Sequence, residues 1–473
     1  MRVAFGATAA PLARQRGAAS LVVVMVLFFV MALVAAYTSR NLIFEQRTSV
    51  NQYRATQAFE AAEAGLEWAL AQLNGGRIDD NCLEAGAVAT SLSFRQRYLD
   101  IDATAPPDPP TGMITALTQP VLGNPPRRAG CVWNGGGWAC SCPTDTDPVL
   151  AAPAGNGVFP AFWVSFNTNG VTRPGVVQIV ANGCTRLDAD CLRSLPGDSA
   201  LEGRAMIVEL LALKSAVTTP PAAALTTLGG ATGSTVAGVN TAAINRDAGR
   251  GGITVQAGGN VAGDFDLAST PGTPPLESVV ESDTSLSSLL LALPTTLPAD
   301  LVAAGHVPND RGFASTFGLW PGSYRLQPAA VQLTCPAGGC SAALANAAVM
   351  NPGRVIWIDG NLTVEAAGDI GSAAEPVTII VAGDGVANPG NVSLAAGATV
   401  YGLVYARGFG SGPGPGPDIV WRGPGVVRGA VIVEGNYAGT LAPTIEFDGA
   451  IVDTLRLRAG SFVRVPGSWR DFQ

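Results

Sequence analysis

The chain has 473 residues, of which 58 are glycine and 34 proline, with 14% charged residues and a net charge of −8. This is too much glycine for an all-helical protein and too apolar for a disordered one, so many short strands joined by tight turns are expected. Phosphate binding needs clustered lysine and arginine, and no basic run occurs beyond the first residues, which argues against a nucleic-acid partner.

Residues 1–17 hold Arg2, Arg14 and Arg16 and no acid, and the twenty residues from Ala18 to Tyr37 carry no charge. At the rise of an α-helix those twenty residues span about 30 Å, the thickness of a bilayer's hydrocarbon core. The basic flank keeps the amino end cytoplasmic and sends everything after Arg40 outside. Ala18, Leu21, Val22, Val26, Phe29, Val34 and Tyr37 are the residues expected to face lipid or other helices. Residues 38–74 contain no proline and stop at Gly75-Gly76, so span and extension are expected to form one helix over 18–75, about 85 Å long. Ile43, Val50, Tyr53, Ala61, Ala64, Trp68 and Ala71, with Gln46 and Gln57 in the same row, form a stripe expected to pack on a domain. Glu45, Arg47, Arg54 and Glu63 lie off it.

The basic leader ending in Gly17, the apolar helix from Ala18 and the run N-Q-Y-R-A-T-Q-A-F-E-A-A-E-A-G-L together resemble a type IV pilus minor pilin of the PilX type, over about residues 14–74. The resemblance implies cleavage between Gly17 and Ala18 by a prepilin peptidase of the inner membrane, with methylation of the new amino terminus. It also implies partnership with other pilins through the helix, and possible contact with a tip adhesin. Major pilins carry a glutamate at the fifth mature position, where this chain has Val22. That departure resembles a subunit that starts or caps a filament. On hydropathy alone, an uncleaved signal anchor remains an equal reading.

Eight cysteines, all beyond the span, read as four disulfides in an oxidising compartment such as the periplasm. Closeness pairs Cys184 with Cys191 and Cys335 with Cys340. The run C-V-W-N-G-G-G-W-A-C folds about Gly135-Gly136 into a hairpin that sets Trp133 opposite Trp138 and Cys131 opposite Cys140. Cys82 and Cys142 are left to each other. Zinc at the C-x-C is the competing reading, weakened by the presence of a single histidine.

From Arg77 to about 220, the runs 159–166, 175–181 and 205–213 are expected to form an antiparallel sheet. Set against the helix end, it would give a pilin-like head, an arrangement drawn partly from the resemblance. Residues 103–112 and 215–224 read as linkers. From 221 onward, apolar alternations return to Gly259-Asn260-Val261, Gly360-Asn361-Leu362, Gly390-Asn391-Val392 and Gly435-Asn436-Tyr437, and related strands follow Gly402, Gly429 and Gly449. Corners that need positive φ between short strands fit a β-solenoid or β-helix, with an ordinary β-sandwich as the alternative. Residues 225–270 and 354–465 are expected to share that unit, with 276–350 a helical insertion and 408–418 an exposed loop. The fold class expected is α+β, mainly β: a long amino-terminal transmembrane and amphipathic helix, a pilin-like head over 76–220, and a solenoid-like domain over 221–473.

Chemistry is sparse. His306 stands alone without a G-x-S-x-G elbow, and no P-loop, dinucleotide fingerprint or H-E-x-x-H occurs. Asp369 with Glu375, or Glu446 with Asp448, are the acid pairs a β-helix polysaccharide enzyme would use, and solvated corner residues are the plainer reading. Asp145 with Asp147, and Asp188 with Asp190, are weak calcium candidates. No catalytic residue, cofactor or metal is assigned. The function expected is a non-enzymatic minor pilin that helps initiate or cap a filament and presents a binding domain. It would be held in a bacterial inner membrane with its bulk periplasmic and then built into a surface pilus. An anchored extracytoplasmic binding module and a polysaccharide enzyme remain the alternatives.

Overall fold

The computed structural model describes residues 18–86, 90–103, 110–120, 124–155, 158–187, 191, 203–234, 236, 238–290, 310–383, 389–408 and 418–471. Helix α1 (Ala18–Leu73) is continuous, as a proline-free run with strong helix formers dictates. Its last turn closes through Asn74 N and Gly75 N donating to Ala71 O and Gln72 O. A mostly β body follows.

The end of α1 lies on a six-stranded antiparallel sheet in the order Gly460–Arg464, Arg204–Ser215, Val176–Cys184, Ala161–Asn167, Arg128–Trp133, Trp138–Ser141. Alternate residues such as Val177, Ile179 and Ala181 point into the core beneath the helix, the period-two pattern of a sheet covered on one face. A short helix, α2 (Phe94–Tyr98), is opened by a capping box in which Gln96 N donates to Ser93 Oγ and Ser93 N donates to Gln96 Oε1. Phe94 and Tyr98 then join Leu66, Phe162, Phe166 and Phe462 in the head core.

The head is completed by the far end of the chain. Strand Arg204–Ser215 pairs with Gly460–Arg464, so everything between them leaves and re-enters between two neighbouring strands. The expectation that 221–473 is one unit differs here. Phe462 is buried in the head core, and Val208 bridges Arg470, because strand Arg204–Ser215 would otherwise present an open edge beside apolar core.

The intervening residues form two parallel sheets. One runs through Phe265–Ala268, Thr241–Ile244, Thr444–Phe447, Val426–Val433, Ala398–Ala406, Val377–Val381, Val355–Asp359 and Ala330–Thr334. The other runs through Val261–Ala262, Ala231–Thr232, Tyr437–Thr440, Ile419–Arg422, Val392–Leu394 and Leu362–Val364. The stack is not in chain order. The chain enters in its middle, where Leu225 pairs with Val431, Ala231 with Tyr437 and Ala243 with Ile445, builds outward to Val279–Val280, and resumes at the opposite end with Ala330–Thr334. It then works back until its last strands meet its first. Valine, isoleucine and alanine fill the interior with the fully buried Trp421, Tyr405 and Tyr437.

The four Gly-Asn corners each lead directly into a strand of the second sheet, though not by the backbone geometry expected. Of their glycines only Gly360 has positive φ, and none of their asparagines does. The asparagine side chains bind the neighbouring coil instead: Asn391 N donates to Asn361 Oδ1, Val420 N to Asn391 Oδ1 and Gly230 N to Asn436 Oδ1. Positive φ is needed within the strands, at Gly429 (φ 137°), where an added Cβ would strike the Gly402 carbonyl of the adjoining coil.

The segment 276–350 is only partly helical. Helices Thr284–Leu290, Asp310–Phe317, Pro321–Arg325 and Ser341–Met350 are present, while Val279–Val280 and Ala330–Thr334 join the parallel sheet. Phe313 and Phe317 pack on Tyr405 at ring distances of 5.3 and 5.0 Å and on Tyr324 at 5.2 and 4.9 Å, which ties this segment into the core between the parallel sheets.

Candidate functional site

Through the first half of α1 every described side chain is exposed. Leu21, Val22, Val26, Phe29, Val34 and Tyr37 are all exposed, and so are Ile43, Val50 and Tyr53 further along. Ala18 is the first helical residue, and Gly17 lies outside the described residues. Thr38 and Thr48 return their hydroxyls to Val34 O and Phe44 O, so the polar side chains after the span do not interrupt the helix. A helix apolar on all sides is stable only where lipid or other helices surround it.

Docking begins between Arg54 and Ala58. The buried face is Ala58, Ala61, Ala62, Gly65, Leu66, Ala69 and Leu73, whereas Ala71, counted in the expected stripe, is exposed and Ala64 and Trp68 are half-buried. The difference is one of helical phase: the buried row lies about one residue further along than the expected one. An added Cβ at Gly183 would overlap Ala58 O and Ala62 N, and one at Gly203 would come within 2.7 Å of Arg54 O. Gly65 similarly admits the Phe162 ring, at 2.8 Å from its own missing Cβ. Along that face Ala58, Ala62, Gly65 and the strand glycines let helix and strands approach closely.

Residues 16–67 match the family model described as PilX N-terminal. The chain carries a PilX N-terminal domain over those residues. No curated protein matches it. A crystal structure of the competence-associated pilin ComZ from Thermus thermophilus overlaps at 13% identity, over 89% of this chain and 98% of that one, with a TM-score of 0.21, too low to bear on the arrangement. The PilX N-terminal domain covers the exposed part of α1 and runs into the docked part. It ends at Glu67, whose Oε1 pairs with Arg464 Nη2 of the carboxy-terminal strand at 2.6 Å.

Beyond the PilX N-terminal domain, four disulfides brace the body. Cys131 pairs with Cys140 across a hairpin in which Trp133 faces Trp138 at a ring distance of 5.5 Å, and Trp138 reaches Phe162 at 4.7 Å. Gly136 N and Gly137 N both donate to Asn134 Oδ1 at its turn. Cys82–Cys142 ties the loop after α1 to the end of the hairpin, while Cys184–Cys191 and Cys335–Cys340 close short loops. Among the described residues, no group of three or more histidine, cysteine or acidic side chains is placed to hold a metal.

The acid pairs are occupied structurally. Glu375 accepts from Arg77 Nη2 at 2.5 Å and Gln96 Nε2 at 2.7 Å, and Asp369 is exposed on a strand end. Glu446 pairs with Arg428 at 3.3 Å, and Asp448 caps helix Gly449–Arg458. Asp147 holds Arg128 at 2.6 Å. His306, Asp188 and Asp190 lie outside the described residues.

The sequence reading missed the polar joints that hold the seam between head and coil, at Arg77, and those that hold the head itself, at Asn74 and Arg97. Arg77 donates from its backbone to Met350 O and from Nε to Val349 O. Asn74 donates to Phe462 O and accepts from Phe462 N at 3.0 and 2.8 Å, which locks the end of α1 to the last strand. Arg97 donates to Cys142 O and Ile78 O. Arginines at 77, 95 and 97, the last two within α2 itself, were the available signal; Arg77 pairs with Glu375 and Arg97 with Asp80, while Arg95 is held by backbone carbonyls.

Proposed function

We propose that this chain is a minor pilin of a type IV pilus-like system, helping to initiate or cap filament assembly while its head carries the stacked coils outward as a binding domain. The observation that carries the reading is the change along α1. The side chains from Ala19 to Tyr53 are exposed, while residues from Ala58 on are clamped to the head, so the exposed half is left for lipid and then for the helices of other pilins. Val22, at the place of the usual glutamate, supports a starting or capping position over one in the filament body. On this reading the chain is held in the bacterial inner membrane with its bulk periplasmic, is cut between Gly17 and Ala18 by the prepilin peptidase, and then enters a surface pilus. The parallel stack is read as a β-solenoid, a tip adhesin is its proposed contact, and the role is structural rather than enzymatic.

The test is Gly17→Trp. The variant should insert in the membrane at normal levels, remain unprocessed and fail to enter sheared pilus fractions. Normal processing and normal entry would refute the reading.

A further inference from the structure

We propose that the cavity where the head meets the coil binds a small organic carboxylate with an apolar body. The cavity has a volume of about 250 Å³ and lies between the α2 side of the head and the turns and carboxy-terminal helix of the coil. Its walls combine Leu99, Leu117, Pro352 and Leu455 with two guanidinium groups, Arg95 and Arg458.

Arg95 is buried, yet its partners are all backbone carbonyls. Nε donates to Leu73 O at 2.9 Å, Nη1 to Gly353 O and Arg458 O at 3.2 Å, and Nη2 to Gly460 O at 3.1 Å, with the Phe462 ring 5.3 Å beneath. Among the described residues, no carboxylate lies within ion-pair distance of it. Arginine has five N–H donors, and these bonds use four. A buried cation normally has a counter-charge, so this one favours an anion in the adjoining space. Burial, with Arg354 as a neighbouring like charge, lowers its pKa to about 10, which leaves it charged at any physiological pH.

The acids nearby do not fill that role. Glu375 is in the wall but is held by Arg77 and Gln96. Asp100 stands exposed at the rim, 3.9 Å from Arg458 Nη2, while Arg458 Nε donates to Ile101 O at 2.8 Å. Arg458 therefore has donors to offer. These two acids also select among anions, because their charge repels a doubly charged phosphate more than a singly charged carboxylate. A planar carboxylate matches a guanidinium, and the apolar wall suits a hydrocarbon body. The ligand would touch both head and coil.

The probe is benzoate, measured by equilibrium dialysis against the detergent-solubilised full chain, with benzamide and inorganic phosphate as comparisons. Saturable binding of about one benzoate per chain is expected, with a Kd on the order of 1 mM for so few atoms. Benzamide and phosphate should bind at least about tenfold more weakly. Arg95→Gln risks the fold because four carbonyls depend on that side chain. Arg458→Gln, expected to weaken benzoate about tenfold, and Leu117→Trp, expected to fill the cavity and abolish binding, serve instead. Absence of saturable benzoate binding, equal binding of benzamide or phosphate, or unchanged binding in the two variants would overturn the proposal.

Discussion

Gly183, next to the last residue of a head strand, faces the Ala58 carbonyl of α1 so closely that a methyl group on Gly183 would overlap it. This pair marks the point where the free helix becomes part of a folded body. Gly183→Ala should therefore lower head stability by about 1–3 kcal/mol, the usual cost of forcing atoms into a packed contact. Thermal unfolding of the full chain checks it. Gly136→Ala is the control: it adds a methyl to an open turn whose nearest neighbour is 3.8 Å away, and should leave the melting temperature unchanged.

Loss of the hairpin bridge is the second test. Cys131→Ser should destabilise the oxidised protein by about 2–5 kcal/mol, chiefly by freeing the unfolded chain. Under reducing conditions the wild type should melt with the variant. A variant that melts like the oxidised wild type would show that the bridge does not constrain the head.

The hairpin shows what the sequence makes legible and why. Its symmetry about Gly135-Gly136 fixes the register locally, and the structure has the same pairs, Trp133 with Trp138 and Cys131 with Cys140. The continuity of α1 was readable for the same reason, since helix continuity is decided within a few residues. The docking face of α1 was not. The helical row expected from spacing ran through Gln57, Ala61, Ala64, Trp68 and Ala71, while the buried face is turned by about one residue, through Ala58, Ala62, Gly65 and Ala69, where the sheet comes near enough to exclude bulk. The re-entry of Gly460–Arg464 into the head was hidden too. Its partner, strand Arg204–Ser215, is remote in sequence, and nothing local distinguishes a head strand from a coil strand. Arg95 was overlooked because its partners are carbonyls, which every residue carries.

Asn74 gives a third prediction. Asn74→Ala removes both bonds to the Phe462 backbone and leaves a buried N–H and C=O without them, a cost of about 1–3 kcal/mol. Hydrogen exchange at the Phe462 amide should accelerate more than exchange within the parallel coils. Uniform acceleration, or none, would count against a local lock at that site.

Inside the coil, Glu434 supplies a pH dependence. It is fully buried beside Tyr405, with Arg407 Nε at 3.5 Å and Asp310 on the other side of that arginine at 2.6 Å. Burial raises its pKa to about 8, against partial relief from Arg407. A carboxyl that keeps its proton in the folded state and loses it in the unfolded state makes stability fall as pH rises, here between about 4.5 and about 8. Melting temperature should decline across that window in the wild type. In Glu434→Gln, which carries no titrating proton, the decline should be shallower. Parallel profiles in the two proteins would show that Glu434 is not the source.

The most direct measurement for the pilin reading is amino-terminal sequencing with mass analysis of the protein recovered from membranes and from sheared surface filaments, with and without the prepilin peptidase. The account predicts a mature chain beginning at methylated Ala18 when the peptidase is present, recovered in both fractions, and an unprocessed, membrane-bound chain without it. A chain from the filament or membrane fraction that still begins at Met1 in cells with active peptidase would contradict it.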